Sequence, residues 1–329
     1  MGLLSFLYNI GLQFKKSRIT PLRLEVPVIS IGNLTLGGTG KTPAAIALAR
    51  EAQKRGYRPC ILTRGYRGKA KDSCIVSRGD GPLLSATDTG DEPFLMASVL
   101  KGIPIIKALK RYEAGKLALQ KLNPRPDLFI LDDGFQHWQL HRDIDVLLID
   151  SANPFGNRRL FPEGIMREPF TAIARAAIIV ITKSDMINAQ EIAKIKNTIN
   201  AYTADIPVYH SIHHPALLVS AKGDEHSLKL LKGKRFHAFA GIANPAHFET
   251  MLKKHGAIIE HFTHFKDHHM FTQKDIDRIV HEAGDAGILT TEKDMVKLKE
   301  LSIPDNMMAL RIDYSVTGDF YDNLFRRLA

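Results

Sequence analysis

A chain of 329 residues, 44% hydrophobic and 24% charged, is long enough to bury a sizeable core and is expected to form two domains. Its two cysteines, Cys60 and Cys74, stand in no C-x-x-C pairing, which argues against a disulfide scaffold and for a reducing cytosol. The 45 Lys and Arg against 35 Asp and Glu give a net charge of +10, which suits anionic partners, but the basic residues are scattered and no nucleic-acid recognition motif is present.

The first 18 residues, MGLLSFLYNIGLQFKKSR, place Leu3, Leu7, Ile10 and Phe14 at helical spacing, with Leu4 and Phe6 alongside. Lys15, Lys16 and Arg18 follow at once. The apolar run falls short of the roughly 20 residues that a spanning helix needs, and its cations follow rather than precede it, the reverse of a secretory signal. Two readings stand: a helix packed on the domain, or one lying in a membrane interface with its cations at the headgroups.

VPVISIGNL is a short β-branched strand, TPAAIALAREAQKRG a helix stopped by Gly56, and YRPCILTRGY a second strand. A polar stretch rich in glycine and serine runs from Gly68 to Gly90. EPFLMASVLKG then reads as a helix, IPIIKA as a strand and RYEAGKLALQKL as another helix. PDLFILDDGFQH is a buried strand ending in two aspartates, and IDVLLID and AAIIVITKSD are further apolar strands. Strands alternating with helices predict a parallel sheet covered on both faces. Beyond about residue 205 the texture changes: IPVYHSIHHPALLVS reads as strands of a connector. RFHAFAGIANPAHFETMLKKHG, a helix near Asp275 to Ala283, and AGILTTEKDMVKL then make a second, smaller α/β unit. The expected architecture is an α/β P-loop domain over 1–205, joined by a β-strand linker to a smaller α/β domain over 206–329.

TLGGTGKTP, Thr35 to Pro43, departs from G-x-x-x-x-G-K-[ST] only in its lead glycine, which is Thr35. A phosphate cradle needs inward N–H groups at a helix N-terminus and one cation. Gly37, Gly38 and Gly40 supply the backbone, Lys41 the charge, and Thr42 a hydroxyl for Mg²⁺. The missing glycine is a turn residue, so Thr35 alters the loop's entry and not its cradle. Thr35, Leu36, Gly37, Gly38, Thr39, Gly40, Lys41 and Thr42 are therefore the expected nucleotide-binding segment. Asp132 and Asp133, closing LFILDDG, are the expected acidic partners of the metal.

Three chemistries compete for such a loop. TKSD, Thr182 to Asp185, resembles a guanine-recognition motif and would suit a soluble P-loop GTPase or metallochaperone, but a GTPase also needs D-x-x-G, and position 131 is Leu. A partition-type ATPase would carry lysine at position 36, which is Leu36. A small-molecule kinase requires an acceptor site and a base. His261, His264, His268 and His269 include an i, i+4 pair, but no cysteine or H-E-x-x-H pattern supports zinc.

GNLTLGGTGKTP, TRGYRG, GDEP, LDDGFQH, FPEGIMREP, FAGIANP, DHH and LTTEKDMVKL, in that order from about residue 29 to 298, together resemble the tetraacyldisaccharide 4′-kinase family of lipid A biosynthesis. The resemblance includes the Thr35 irregularity. It implies transfer of the ATP γ-phosphate to the 4′-hydroxyl of an acylated glucosamine disaccharide 1-phosphate, with no nucleic-acid or protein partner. The place would be the cytoplasmic face of the bacterial inner membrane, in peripheral contact with anionic lipid. It also implies a Mg²⁺-dependent reaction at the meeting of the two domains. Arg111 and Arg167 then offset phosphate charge, Tyr66 and Gln136 orient nucleotide or acceptor, and Asp91, helped by His268, accepts the hydroxyl proton.

Overall fold

The structure, a computed structural model, describes residues 2–66, 68–203 and 205–328. In chain order the first elements are α1 (Leu3–Ser17), β1 (Val28–Asn33), α2 (Lys41–Lys54), β2 (Pro59–Thr63), β3 (Cys74–Ser77), α3 (Ala86–Thr89) and α4 (Asp91–Val99). Next come β4 (Ile105–Lys107), α5 (Arg111–Lys121), β5 (Leu128–Asp132), β6 (Ile144–Asp150), β7 (Ile178–Thr182) and α6 (Ala189–Asn200). The remainder comprises β8 (Val208–Ser220), β9 (Glu225–His226), β10 (Arg235–Ala240), α7 (Pro245–Lys254), β11 (Ile258–His264) and α8 (Gln273–Ala283). β12 (Gly287–Thr291), α9 (Glu292–Met295), β13 (Met307–Val316) and α10 (Phe320–Arg326) complete it.

Apolar β-branched runs with helices between them can bury both faces only in a covered parallel sheet. β1, β2, β5 and β7 are accordingly buried at every position. Among the described residues they belong to one sheet of 13 strands, ordered β11-β10-β12-β13-β8-β7-β6-β1-β5-β2-β4-β3, with β9 paired to β8 off that path. The sheet is mixed rather than wholly parallel, because β3 runs antiparallel to β4 and β13 antiparallel to β8.

The connector is a single strand. Val208–His210 of β8 pair in parallel with β7, and 211–220 pair antiparallel with β13. One strand thus carries the sheet from its first half into its second. The polar stretch between Gly68 and Gly90 holds β3 and α3, which its composition concealed. β13 and α10 lie beyond the elements read from the sequence. The apolar side chains Phe320, Leu324 and Phe325 of α10 pack with Ile29, Leu48 and Val146, in the core of the first half. Tyr57 stacks on Phe325 at 5.3 Å, and Arg55 pairs with Asp322 at 2.6 Å.

Candidate active site

The loop entry explains its odd residue. Thr35 forms an antiparallel bridge with Met166, and the flanking N–H groups of Leu36 and Arg167 donate to Ile165 and Leu34 at 2.7 Å each. A residue in extended, paired backbone needs no glycine, so threonine fits where a free turn would not suit it. Glycine is required further on: Gly37 and Gly40 have φ of 116° and 84°, in the left-handed region. A Cβ on Gly40 would also stand 2.5 Å from the His213 ring. Among the described residues no side chain caps the start of α2, so its first N–H groups remain for a ligand.

Behind the loop, β5 delivers two carboxylates in different states. Asp133 faces Lys41 at 3.8 Å and takes Arg167 Nη1 on both oxygens, at 2.9 and 3.0 Å. Burial pushes its carboxyl up, but Lys41 and Arg167 outweigh that and hold it below the usual range. Asp132 is 2% exposed. Its Oδ2 accepts from Thr63 at 3.3 Å, while its buried Oδ1 has no hydrogen-bond partner among the described residues. Burial, then the charges of Glu92 and Asp133, push its carboxyl up to about 7 despite Lys41 and Arg111. A buried carboxylate oxygen left without a partner beside a hydroxyl-bearing phosphate loop is the donor set a hard divalent cation takes.

Arg167 is fixed from both sides. It bonds Gln136 Oε1 at 3.3 Å, Gln136 Nε2 donates to the Asn33 carbonyl and to Glu168, and Glu168 holds Arg175 at 2.6 and 2.8 Å. Arg111 stands differently. Its side chain is 4% exposed, donates to the Leu109 carbonyl and is absent from the cavity wall, its charge acting on Asp132 and Asp133 from within the protein. Burial lowers its pKa to about 10, so it remains a cation at neutral pH.

Residues from both halves line one cavity of about 1270 Å³. Leu36–Thr42, Tyr66, Asp132, Asp133, Gln136, Arg167 and His268 are all on its wall; Thr35 and Asp91 are not. Across it, His268, whose φ of 61° turns it out of the chain path, brings Nδ1 to 3.1 Å from Asp91 Oδ2 at the start of α4. Burial would raise the Asp91 carboxyl, but the His268 hydrogen bond and the Lys297 and Lys293 charges bring it below its usual range. It is therefore a carboxylate at working pH.

Sequence reasoning missed several neighbours. Glu92, Lys293 and His213 line the cavity too. Thr182 Oγ1 and Lys183 Nζ donate to the carbonyls of Thr39 and Gly38 at 3.1 and 3.0 Å, so the TKSD segment braces the loop from behind. The TKSD resemblance singles these two out, but as guanine-recognition residues and not as a brace for the loop. Nothing local in the sequence marks His213. Of the clustered histidines, His261 and His264 lie along β11, and the described residues contain no group of three or more His, Cys, Asp or Glu that could hold a metal.

A glycine loop entering a helix, a lysine on it and carboxylates at the end of the neighbouring strand are the parts of a P-loop phosphotransferase. Comparison with known proteins narrows this. The sequence model described as tetraacyldisaccharide-1-P 4′-kinase matches residues 1–329. Tetraacyldisaccharide 4′-kinases from Anaeromyxobacter sp. (strain K) and Desulfotalea psychrophila are 38% and 36% identical, covering 92% and 100% of this chain and 81% and 93% of theirs. The crystal structure of LpxK from Aquifex aeolicus in complex with ATP superposes with a TM-score of 0.80 at 32% identity, covering 99% of this chain and 98% of that one. The chain belongs to the tetraacyldisaccharide 4′-kinase family, and its activity is the kinase step of lipid A biosynthesis. The GTPase or metallochaperone alternative is thereby corrected: TKSD serves the loop's support in a kinase.

Proposed function

We propose that the chain transfers the γ-phosphate of ATP to a tetraacyldisaccharide 1-phosphate through the residues on this cavity, with Asp91 reaching it through His268. The observation that carries the reading is the convergence of Lys41 and Arg167 on Asp133 across from the Asp91–His268 pair. Lys41 and the amides of Gly37 to Thr42 hold the β- and γ-phosphates, and Arg167 offsets charge that spreads over the transferring group. Arg111 adds positive potential from within, and Tyr66 and Gln136 border the space between nucleotide and acceptor. Thr42, Asp132 and Asp133 would hold Mg²⁺; when bound, it would neutralise phosphate charge and align the oxygens. The 4′-hydroxyl loses its proton to the Asp91–His268 pair as its oxygen bonds to the γ-phosphorus. The bond from that phosphorus to the β–γ bridging oxygen breaks, and ADP leaves.

The two units meeting near residue 205 form the walls of the cleft, with β8 as linker, so chemistry is coupled to their approach. α1 supplies the route of entry. Leu3, Leu4, Phe6, Leu7, Ile10 and Phe14 are 48–72% exposed on its outer side. On its inner side, Ser5 Oγ donates to Leu160 and Tyr8 Oη to Arg167, the residue at the phosphates, while Tyr8, Leu12 and Lys15 line the cavity. No helix among the described residues is long and apolar enough to cross a membrane. An interfacial helix at the cytoplasmic face of the inner membrane would cover the outer stripe, with Lys15, Lys16 and Arg18 at anionic headgroups. The test is labelled ATP with a tetraacyldisaccharide 1-phosphate in mixed micelles, comparing Lys41, Asp91 and Arg167 variants. Retained turnover in all three would overturn this assignment.

A further inference from the structure

The DHH and LTTEKDMVKL segments come together around a carboxylate that no role above uses. Asp294 is fully buried and makes three bonds: Oδ2 accepts from the Gly241 N–H at 2.8 Å and the Thr291 hydroxyl at 2.9 Å, and Oδ1 accepts from Lys297 Nζ at 2.7 Å. Lys297 is equally hidden, its side chain 1% exposed. Two charges withdrawn from water at this depth cost several kcal/mol each unless they are paired and saturated, so such a pair is weak evidence for stability in itself.

What distinguishes this pair is where each member leads. Lys297 Nζ stands 3.6 Å from Asp91 Oδ2, the same oxygen that faces His268 Nδ1. Gly241, held by Asp294 at its N–H, accepts the backbone N–H of His268 on its carbonyl at 3.1 Å. That second route steadies His268 in its left-handed conformation, which is uncommon for a side-chain-bearing residue and needs support from its surroundings. One carboxylate therefore reaches the imidazole through a backbone bond and the Asp91 carboxylate through a lysine. Asp91 belongs to α4 of the first half, and all the others to the second. Lys299 over the Phe94 ring, at 4.8 Å, is a further cationic contact across the same junction.

We infer that Lys297, anchored by Asp294, is a positioning residue for the Asp91–His268 pair, assembled only when the second half sits against α4. The inference rests on the reading of Asp91 and His268 as the proton acceptor. Lys297 fixes the carboxylate that receives the proton and keeps it charged until the acceptor arrives. The charged groups acting on Asp91 are His268 from the segment after β11, and Lys293 and Lys297 from α9 and the turn after it; Asp267 faces His268, and Asp294 holds Lys297. Among the described residues, Lys297 is the cation nearest to Asp91 that has its own buried anchor.

The test uses the full chain with Lys297→Met and Asp294→Asn combined. Removing both charges leaves no buried ion unpaired, a replacement proteins often tolerate, and the amide oxygen can still accept from Gly241 and Thr291. The acid limb of kcat/KM for the lipid should move to higher pH, by less than the roughly 1–3 units that a lost opposite charge alone would give, because the Asp294 anion is lost with Lys297. At neutral pH kcat should fall at least about tenfold, with KM for ATP within about twofold of wild type. Lys297→Arg, which keeps the charge, should leave the limb in place. A pH profile parallel to wild type in the double variant, with a cooperative melt, would show a merely structural pair and overturn the inference. Should that variant lack a cooperative melt, Asp294→Asn alone decides: it frees Lys297 from its anchor, so an unchanged kcat overturns the proposal and a reduced kcat with normal KM for ATP supports it. Asp91→Asn is measured in parallel. If it retains most activity, the base assignment itself is wrong, whatever the Lys297 variants do.

Discussion

Lys41 packs no core and reaches across a loop to Asp133, so Lys41→Ala should remove phosphoryl transfer while leaving the melt nearly unchanged. A loss of at least about 10²-fold in kcat is expected from a missing preorganised charge. The Asp91–His268 pair makes a sharper case. Asp91→Ala should cost about 10²–10⁴-fold in kcat and His268→Ala somewhat less, with ATP binding kept in both. Because the 3.1 Å contact makes them one unit, the double variant should be little worse than Asp91→Ala alone; additive losses would leave two independent residues. The cradle residues, the two aspartates and His268 were legible from residue type and spacing, or from resemblance, because a phosphate loop is a local device. Lys183, His213, Asp294 and Lys297 were not. Their significance lies in partners far along the chain: Gly38 for Lys183, Gly40 for His213, Gly241 for Asp294 and Asp91 for Lys297.

At the scale of elements, α1 is the clearest experiment. Each apolar side chain of its outer stripe is worth roughly 1.5–3 kcal/mol when fully removed from water, so the stripe as a whole favours a covering surface. Deleting residues 1–18 should weaken binding to anionic vesicles and raise KM for the lipid far more than KM for ATP. Co-sedimentation with vesicles and paired kinetics check this. If the shortened chain stays on vesicles with normal KM for lipid, the interfacial reading is wrong. The helix itself was readable from its period, but its docking through Gly2, Ser5 and Tyr8 onto 160–167 was not, since that needs the carboxylate of Glu163 and the carbonyls of Leu160 and Arg167. The connector shows the same division. Its β character was plain from IPVYHSIHHPALLVS, whereas a single strand changing from parallel to antiparallel partners depends on what lies on either side.

Across the whole molecule, two half-buried histidines, His137 and His213, tie stability to pH. Burial, then Arg111 and Arg142, take the His137 pKa down to about 3, and burial, then Lys183 and His247, take that of His213 down to about 4. His137 Nε2 lies 3.3 Å from the Arg111 N–H, an arrangement that suits a neutral ring. In each case the unfolded chain takes up a proton near pH 6.5 and the folded one does not. Their contribution to stability is present above about 6.5 and is lost as pH falls toward about 4 and about 3, on the order of 3 kcal/mol for His213 and about 5 kcal/mol for His137. His213→Gln should therefore flatten the decline of Tm between pH 6.5 and 4, and an unaltered slope would remove His213 from this account. The α10 helix has a different bearing, on how the chain acquires its shape. Ile29, Leu48 and Val146 leave the ribosome early, yet Phe320, Leu324 and Phe325, which complete their packing, are made last of all these. During synthesis the nucleotide-binding half must wait, with part of its core open to water, until the other half has already been translated.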